Sequence, residues 1–201
     1  MGLFRRSSPT EEQGRWIVVG LGNPGERYAS TRHNLGAMVV EELLSRAGGR
    51  FKSHKSGCLV CEAIVSGAPV VIARPTSYMN ESGRPVGALV RWYKGSAQTT
   101  IVVHDELDLA FGEVRIKSGG GTAGHNGVSS VADHIGRDFI RVRVGIGRPR
   151  GRTDAMGHVL DTFSSSERKE LPFVIALAAD AVEKILADGP ERAMNEVNTR
   201  D

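Results

Sequence analysis

The chain has 201 residues, 40% hydrophobic and 24% charged, with a formal net charge of +3. That balance belongs to a globular chain able to bury about 70% of its unfolded-chain surface, and it excludes wholesale disorder and the fibrous classes. No apolar run reaches the roughly 20 residues of a membrane span, the N-terminus lacks the apolar stretch of a secretory signal, and Cys58 and Cys61 cannot build a disulfide framework, so a reducing cytoplasm is the expected setting.

Residues 1–15 are polar and contain Ser7-Ser8-Pro9-Thr10, which reads as a disordered leader. Ile17-Val18-Val19-Gly20 reads as a buried strand, followed by the glycine-rich Gly20-Leu21-Gly22-Asn23-Pro24-Gly25. Asn34 to Ala47 carries Met38, Val39, Leu43 and Leu44 at helical spacing, and Gly48-Gly49 ends it. Cys58–Val65 and Pro69–Ala73 read as two strands joined at Ser66-Gly67. Pro85–Tyr93 reads as a helix, Thr99–His104 and Val114–Ser118 as strands. Val128, Val131, Ala132 and Ile135 fit one helical face, and Phe139–Gly145 alternates, Ile140, Val142 and Val144 against Arg141 and Arg143. Ser164 and Glu167 form a capping box, and the helix behind it runs to Asp188-Gly189-Pro190. Strands alternating with helices predict an α/β fold, one domain over 16–201, with helices on both faces of a sheet. The hairpin-like pair makes that sheet mixed.

The basic charge is local. Arg137 to Arg152 holds six arginines against one acid, Asp138, so the remainder of the chain is net acidic. Guanidinium groups suit phosphate oxygens, so the segment is a candidate polyanion contact; a solvated arginine-rich loop is the alternative.

Gly20, Gly22 and Gly25 spell the dinucleotide fingerprint, but Pro24 interrupts it and the next helix begins near Asn34, too late to meet a pyrophosphate. Cys58 and Cys61 lie three apart in a strand, hence on opposite faces, which suits packing rather than a redox pair or zinc. Ser118 to Gly127 is glycine-rich without the Gly-Lys-Ser/Thr of a P-loop. Of six histidines, His54, His134 and His158 sit among polar neighbours without a constellation. His33, His104 and His125 stand at element junctions, where loops beyond the carboxyl ends of strands line a ligand crevice. A histidine beside a carboxylate, here Asp105, is the minimum for base catalysis with an orienting partner. A metal reading would use His33, His104, Asp105 and His125, but no pair has the helical spacing of a two-histidine ligand set.

The set Gly20–Gly25, Thr31-Arg32-His33-Asn34, Pro75–Gly83, His104-Asp105-Glu106-Leu107-Asp108 and Gly119–Gly121 with Gly124-His125-Asn126-Gly127 resembles bacterial-type peptidyl-tRNA hydrolase, in order and spacing, along roughly residues 16–195. The resemblance implies a monomeric α/β fold with a mixed twisted sheet, no metal and no cofactor, and cleavage of the ester between a peptide and the 3′-terminal ribose of tRNA. It further implies His33 as catalytic base and Asp105 as its orienting carboxylate. By the same resemblance Asn23, Tyr28, Met79, Asn80 and Asn126 line the substrate site, and Lys117 and Arg143 contact tRNA phosphate. Thr122-Ala123 stands where many members carry a further glycine, which bears on the shape of that loop. Two other functions compete: a non-catalytic RNA-binding protein of the same fold, and a dinucleotide-dependent reductase, disfavoured by the helix placement.

Overall fold

An apolar run without alternation suits a strand covered on both faces. Ile17-Val18-Val19 lies accordingly at the middle of the sheet, in β1 (Trp16–Gly20). The computed structural model describes residues 15–149 and 154–199. The expected leader thus lies outside the described residues except for Arg15, which pairs with Glu62.

The elements follow in chain order as α1 (Leu35–Arg46), β2 (Lys52–Ser53), β3 (Cys58–Val65), β4 (Ala68–Pro75), α2 (Gly83–Trp92), β5 (Thr100–Glu106), β6 (Val114–Ser118), α3 (Asn126–Ile135), β7 (Ile140–Gly145), α4 (Ala155–Leu160), α5 (Ser165–Asp188) and α6 (Pro190–Asn198). The strand order is β2-β3-β4-β1-β5-β7-β6. The centre, β4-β1-β5-β7, is parallel, and antiparallel pairs flank it at β2-β3-β4 and β7-β6. This is the expected mixed α/β sheet. Leu35, Val39, Val182, Ile185 and Ala193 of α1, α5 and α6 cover one face with Val18, Val103 and Val142. Val86, Leu89, Val128 and Val131 of α2 and α3 cover the other with Val19, Val71 and Val102. Cys58 is buried in the second core and Cys61 is half-buried, its Sγ beside Leu44 and Gly49 of the opposite layer, as the strand offset requires. No described helix is long and apolar enough to cross a membrane.

Two glycines set where the site forms. A Cβ on Gly36 would fall 2.2 Å from the Val103 carbonyl oxygen, and one on Gly20 would fall 2.2 Å from that of Gly36. Only glycine lets α1 lie this close to β1 and β5. The N-terminus of α1, with the His33 turn before it, is thereby seated at the carboxyl ends of both strands.

The structure corrects the sequence reading in three places. β5 does not stop at His104: pairing of Asp105 with Val144 and Glu106 with Gly145 carries it two residues further, so Asp105 is held by a strand and not by a loop. The long helix does stop at Gly189, whose φ is 84°, but Pro190 opens α6 at once, since proline suits the first turn of a helix. Asn198 at the end of α6 bonds both backbone groups of Ile116, N–H to Oδ1 at 2.8 Å and Nδ2 to carbonyl at 2.9 Å, which closes the free edge of β6. Finally, the sequence reading contains no helix at α4, whose apolar stripe of Met156, Val159 and Leu160 is confined to six residues, none of them buried.

Candidate active site

Asp105, 2% exposed, is the centre of the site. His33 Nδ1 lies 3.0 Å from both carboxylate oxygens, and His125 Nε2 lies 2.9 Å from Oδ1. His125 is the N-cap of α3, and its Nδ1 accepts the backbone N–H groups of Gly127 at 3.2 Å and Val128 at 3.3 Å. A backbone N–H can only donate, so His125 carries its proton on Nε2 and donates to Asp105. His33 donates to the same carboxylate from Nδ1, and its Nε2 is the ring nitrogen left for the cavity it lines.

Burial alone would raise the Asp105 carboxyl. The hydrogen bonds and charge of His125 and His33 overturn that and hold it far below the usual carboxylate range. His104 is buried behind them, its Nδ1 2.7 Å from the Asp105 carbonyl oxygen and its ring 4.9 Å edge-on from that of His125. Burial, with His125 alongside, pushes His104 down to about 3, so it stays neutral at physiological pH. It belongs to the framework and not to the reacting surface.

A cavity of about 610 Å³ opens over this cluster. All seven residues that the resemblance placed at the catalytic and substrate sites line it: His33, Asp105, Asn23, Tyr28, Met79, Asn80 and Asn126. Asn23 is held on three sides. Its Oδ1 accepts the Met79 N–H at 2.8 Å, its own N–H donates to Asn34 Oδ1 at 2.8 Å, and Asn34 Nδ2 returns to its carbonyl at 3.0 Å. With its oxygen engaged, the Asn23 amide presents N–H donors to the cavity. Asn80 and Asn126 sit exposed at the rim. Met79 is buried beneath, against Gly127, and Tyr28 stands edge-on to Tyr78 at 6.5 Å.

Among the described residues, His33, Asp105 and His125 are the group whose ligand atoms converge, within 4.8 Å. The set suits a metal poorly. A metal on His125 Nε2 would move the ring proton to Nδ1, where it would face two backbone N–H groups that already donate there. His104 of the metal reading directs Nδ1 at a carbonyl, not at the cluster.

A model of the family described as peptidyl-tRNA hydrolase matches residues 17–201. The chain belongs to the peptidyl-tRNA hydrolase family. It is 54% identical over 189 residues to the peptidyl-tRNA hydrolase of Frankia casuarinae, covering 94% of this chain and 95% of that one. With that of Mycolicibacterium vanbaalenii it shares 54% over 184 residues, 90% and 96% of the two chains. The crystal structure of peptidyl-tRNA hydrolase from Acinetobacter baumannii superposes with a TM-score of 0.85 at 37% identity, covering 92% of this chain and 95% of that one.

The two candidate tRNA contacts of this hydrolase lie outside the cavity. Lys117 pairs across the strands with Arg141, and Arg115 with Arg143, so four cations share one face of the β6–β7 edge. Lys117 is exposed. Arg143 bonds the buried Glu106 through Nε at 3.0 Å, which occupies one of its five donors. Arg141, read as lying on the face opposite the core strand residues, is only 2% exposed and donates to the carbonyls of Gly119 and Gly121. Arg148 pairs with Asp108 at 2.6 Å, and Arg150 and Arg152 fall outside the described residues. The local excess of arginine is thus partly neutralised by acids from β5 and the loop after it. In the glycine-rich loop Ala123 takes a φ of 48°, the left-handed conformation that glycine adopts freely.

Sequence reasoning missed the second bond on Asp105. Its signal was present, a histidine directly before a helix at Asn126, the position of an N-cap. It also missed the apolar wall of the cavity, formed by Tyr78, Leu107 and, from α4, Met156, Val159 and Leu160. Those residues carry no motif.

Proposed function

We propose that this chain hydrolyses the ester between a peptide and the 3′-terminal ribose of tRNA, so recycling tRNA from prematurely released peptidyl-tRNA. It acts as a cytoplasmic monomer, without metal or cofactor, and His33 activates the attacking water. The observation that carries the reading is the His33–Asp105 pair, bonded at 3.0 Å on the floor of an asparagine-lined cavity.

The chemistry follows from the groups. With Nδ1 donating to Asp105, the His33 Nε2 lone pair can take a proton from water as the oxygen attacks the ester carbonyl. Asp105 fixes the Nδ1–H tautomer and stabilises the imidazolium that forms. His125 donates to the same carboxylate from a fixed helix cap, which holds the carboxylate plane while the charge on His33 changes. The N–H donors of Asn23, with the amides of Asn80 and Asn126, are placed to bind the peptide carbonyls and the developing oxyanion. The imidazolium then returns its proton to the departing ribose oxygen. No serine or cysteine stands in a nucleophile signature, so water attacks directly. The alternative of a non-catalytic RNA-binding protein is not favoured, because a binding module has no need of a buried carboxylate shared by two histidines. Release of N-acetylated aminoacyl groups from tRNA is the deciding assay; a folded protein that binds tRNA without releasing them would overturn the reading.

The tautomer of His125 supports a mechanism without metal. Activity should survive exhaustive chelation in a buffer that keeps the tRNA folded. A loss that a divalent transition metal restores would place a metal on the cluster instead.

For the tRNA contact, Lys117→Ala is the cleaner probe, since it leaves no buried acid behind. It should reduce the log–log salt slope of tRNA binding by roughly 0.7–0.9. Arg143→Gln, which keeps a donor for Glu106, should do the same. Both should raise KM for whole peptidyl-tRNA more than for a short aminoacyl-ester fragment; equal effects on the two substrates would assign these residues to the cavity or the fold.

A further inference from the structure

Arg32 stands beside His33 in sequence yet faces away from the reacting groups. It is 7% exposed. Its Nη1 donates to the Thr162 carbonyl at 2.8 Å, its Nη2 to Glu167 Oε2 at 2.8 Å, and its guanidinium lies 5.4 Å from the centre of the Phe163 ring. Its backbone N–H donates to the Asp161 carbonyl at 3.0 Å, and Thr31 forms an antiparallel bridge with Thr162. Glu167 Oε2 also accepts the Ser164 N–H at 2.6 Å in the capping box of α5. The corner from Asp161 to Ser164 is therefore strapped to the turn that carries His33.

That corner begins where α4 ends. α4 supplies Met156, Val159 and Leu160 to the cavity, with Met156 64% exposed and Leu160 40% exposed. α4 has no buried residue, and its contact with the core is the partly buried Val159. Its other side-chain tether among the described residues, His158 Nε2 to the Ile146 carbonyl, is long at 3.4 Å.

We propose that Arg32 is a positioning residue for substrate selection: through Thr162 and Glu167 it fixes α4 as the apolar wall that receives the side chain of the peptide residue esterified to tRNA. This rests on the function proposed above. The buried guanidinium is suited to the task because its planar fork offers the carbonyl and the carboxylate a separate nitrogen each, in a fixed geometry that a single, freely rotating ammonium nitrogen does not impose. The wall recognises an apolar side chain, whereas the His33–Asp105 pair recognises the ester common to all substrates. Loosening the wall should therefore change KM selectively and leave kcat and its pH profile alone.

The test compares N-acetylphenylalanyl and N-acetylglycyl esters on the same tRNA, with the full-length chain. Arg32→Lys and Glu167→Gln should each raise KM for the phenylalanyl substrate about tenfold, and for the glycyl substrate about twofold at most, the scale of an apolar contact in a pocket. Glutamine still serves a capping box, so Glu167→Gln removes the charge facing Arg32 while sparing the helix end. Ser164→Ala weakens that end without touching Arg32; it should lower Tm and leave both KM values unchanged. Equal KM effects on the two substrates, a fall in kcat instead, or the same selective effect from Ser164→Ala would overturn the proposal while hydrolysis itself stood. Absence of release from either substrate by the unaltered chain would overturn the function and this inference together.

Discussion

His33→Ala should lower kcat by about 10²–10⁴-fold while the protein stays folded and still binds tRNA. The expectation rests on one ring nitrogen. His33 Nδ1 is committed to Asp105, so only Nε2 can accept the proton of water, and alanine offers nothing in its place. Binding should persist because the β6–β7 cations and the asparagines of the cavity are untouched. Single-turnover release of N-acetylaminoacyl-tRNA at saturating enzyme, with tRNA affinity measured in parallel, separates the two quantities. If His33 served only the turn before α1, the variant would lose stability and keep its rate per folded molecule. A folded His33→Ala protein with near-normal turnover would remove His33 from the mechanism. His125 would not then be an obvious substitute, because its Nδ1 is taken by the α3 backbone and its Nε2 by Asp105.

Asp105→Asn should cost as much or more, about 10²–10⁴-fold in kcat. Asp105 receives a ring N–H from each of two histidines, and a carboxylate has an oxygen lone pair for both. An amide leaves a single oxygen to accept from both histidines and sets an NH2 where the other carboxylate oxygen faced His33, and the cation of His33 loses its counter-charge. The losses in His33→Ala and Asp105→Asn should be far from additive, since the pair acts as a unit. The same residue shapes the acid limb of stability. Its carboxyl is held below the ordinary range in the folded state, so its contribution is present above the unfolded value, about 4, and fades as pH falls below it. Melting temperatures taken from neutral pH downward should therefore fall less steeply in Asp105→Asn than in the unaltered chain. An identical acid limb in both would show that Asp105 is not the group that titrates.

What could be read from the chain were features with a local physical cause. The β-branched run at 17–19 needs burial on both faces, and β6 and the hairpin of β3 with β4 follow from turn chemistry and alternation. The capping box of Ser164 and Glu167 satisfies its own helix end within four residues, so neighbours were not needed to find it. The motifs around His33, Asp105 and the asparagines identified the family, because their spacing is a property of sequence alone. What tertiary structure decided are the partners. Glu106 meets Arg143 because β5 and β7 pair in parallel register, and Asp105 is shared because two helix N-termini converge on one strand end. Arg141 is buried because its neighbouring loop turns carbonyls toward it, although strand alternation put it opposite the core residues. α4 packs against the His33 turn and, through Val159, the core. In each case the energy lies in contacts between residues tens of positions apart, and periodicity within a segment contains no term for them.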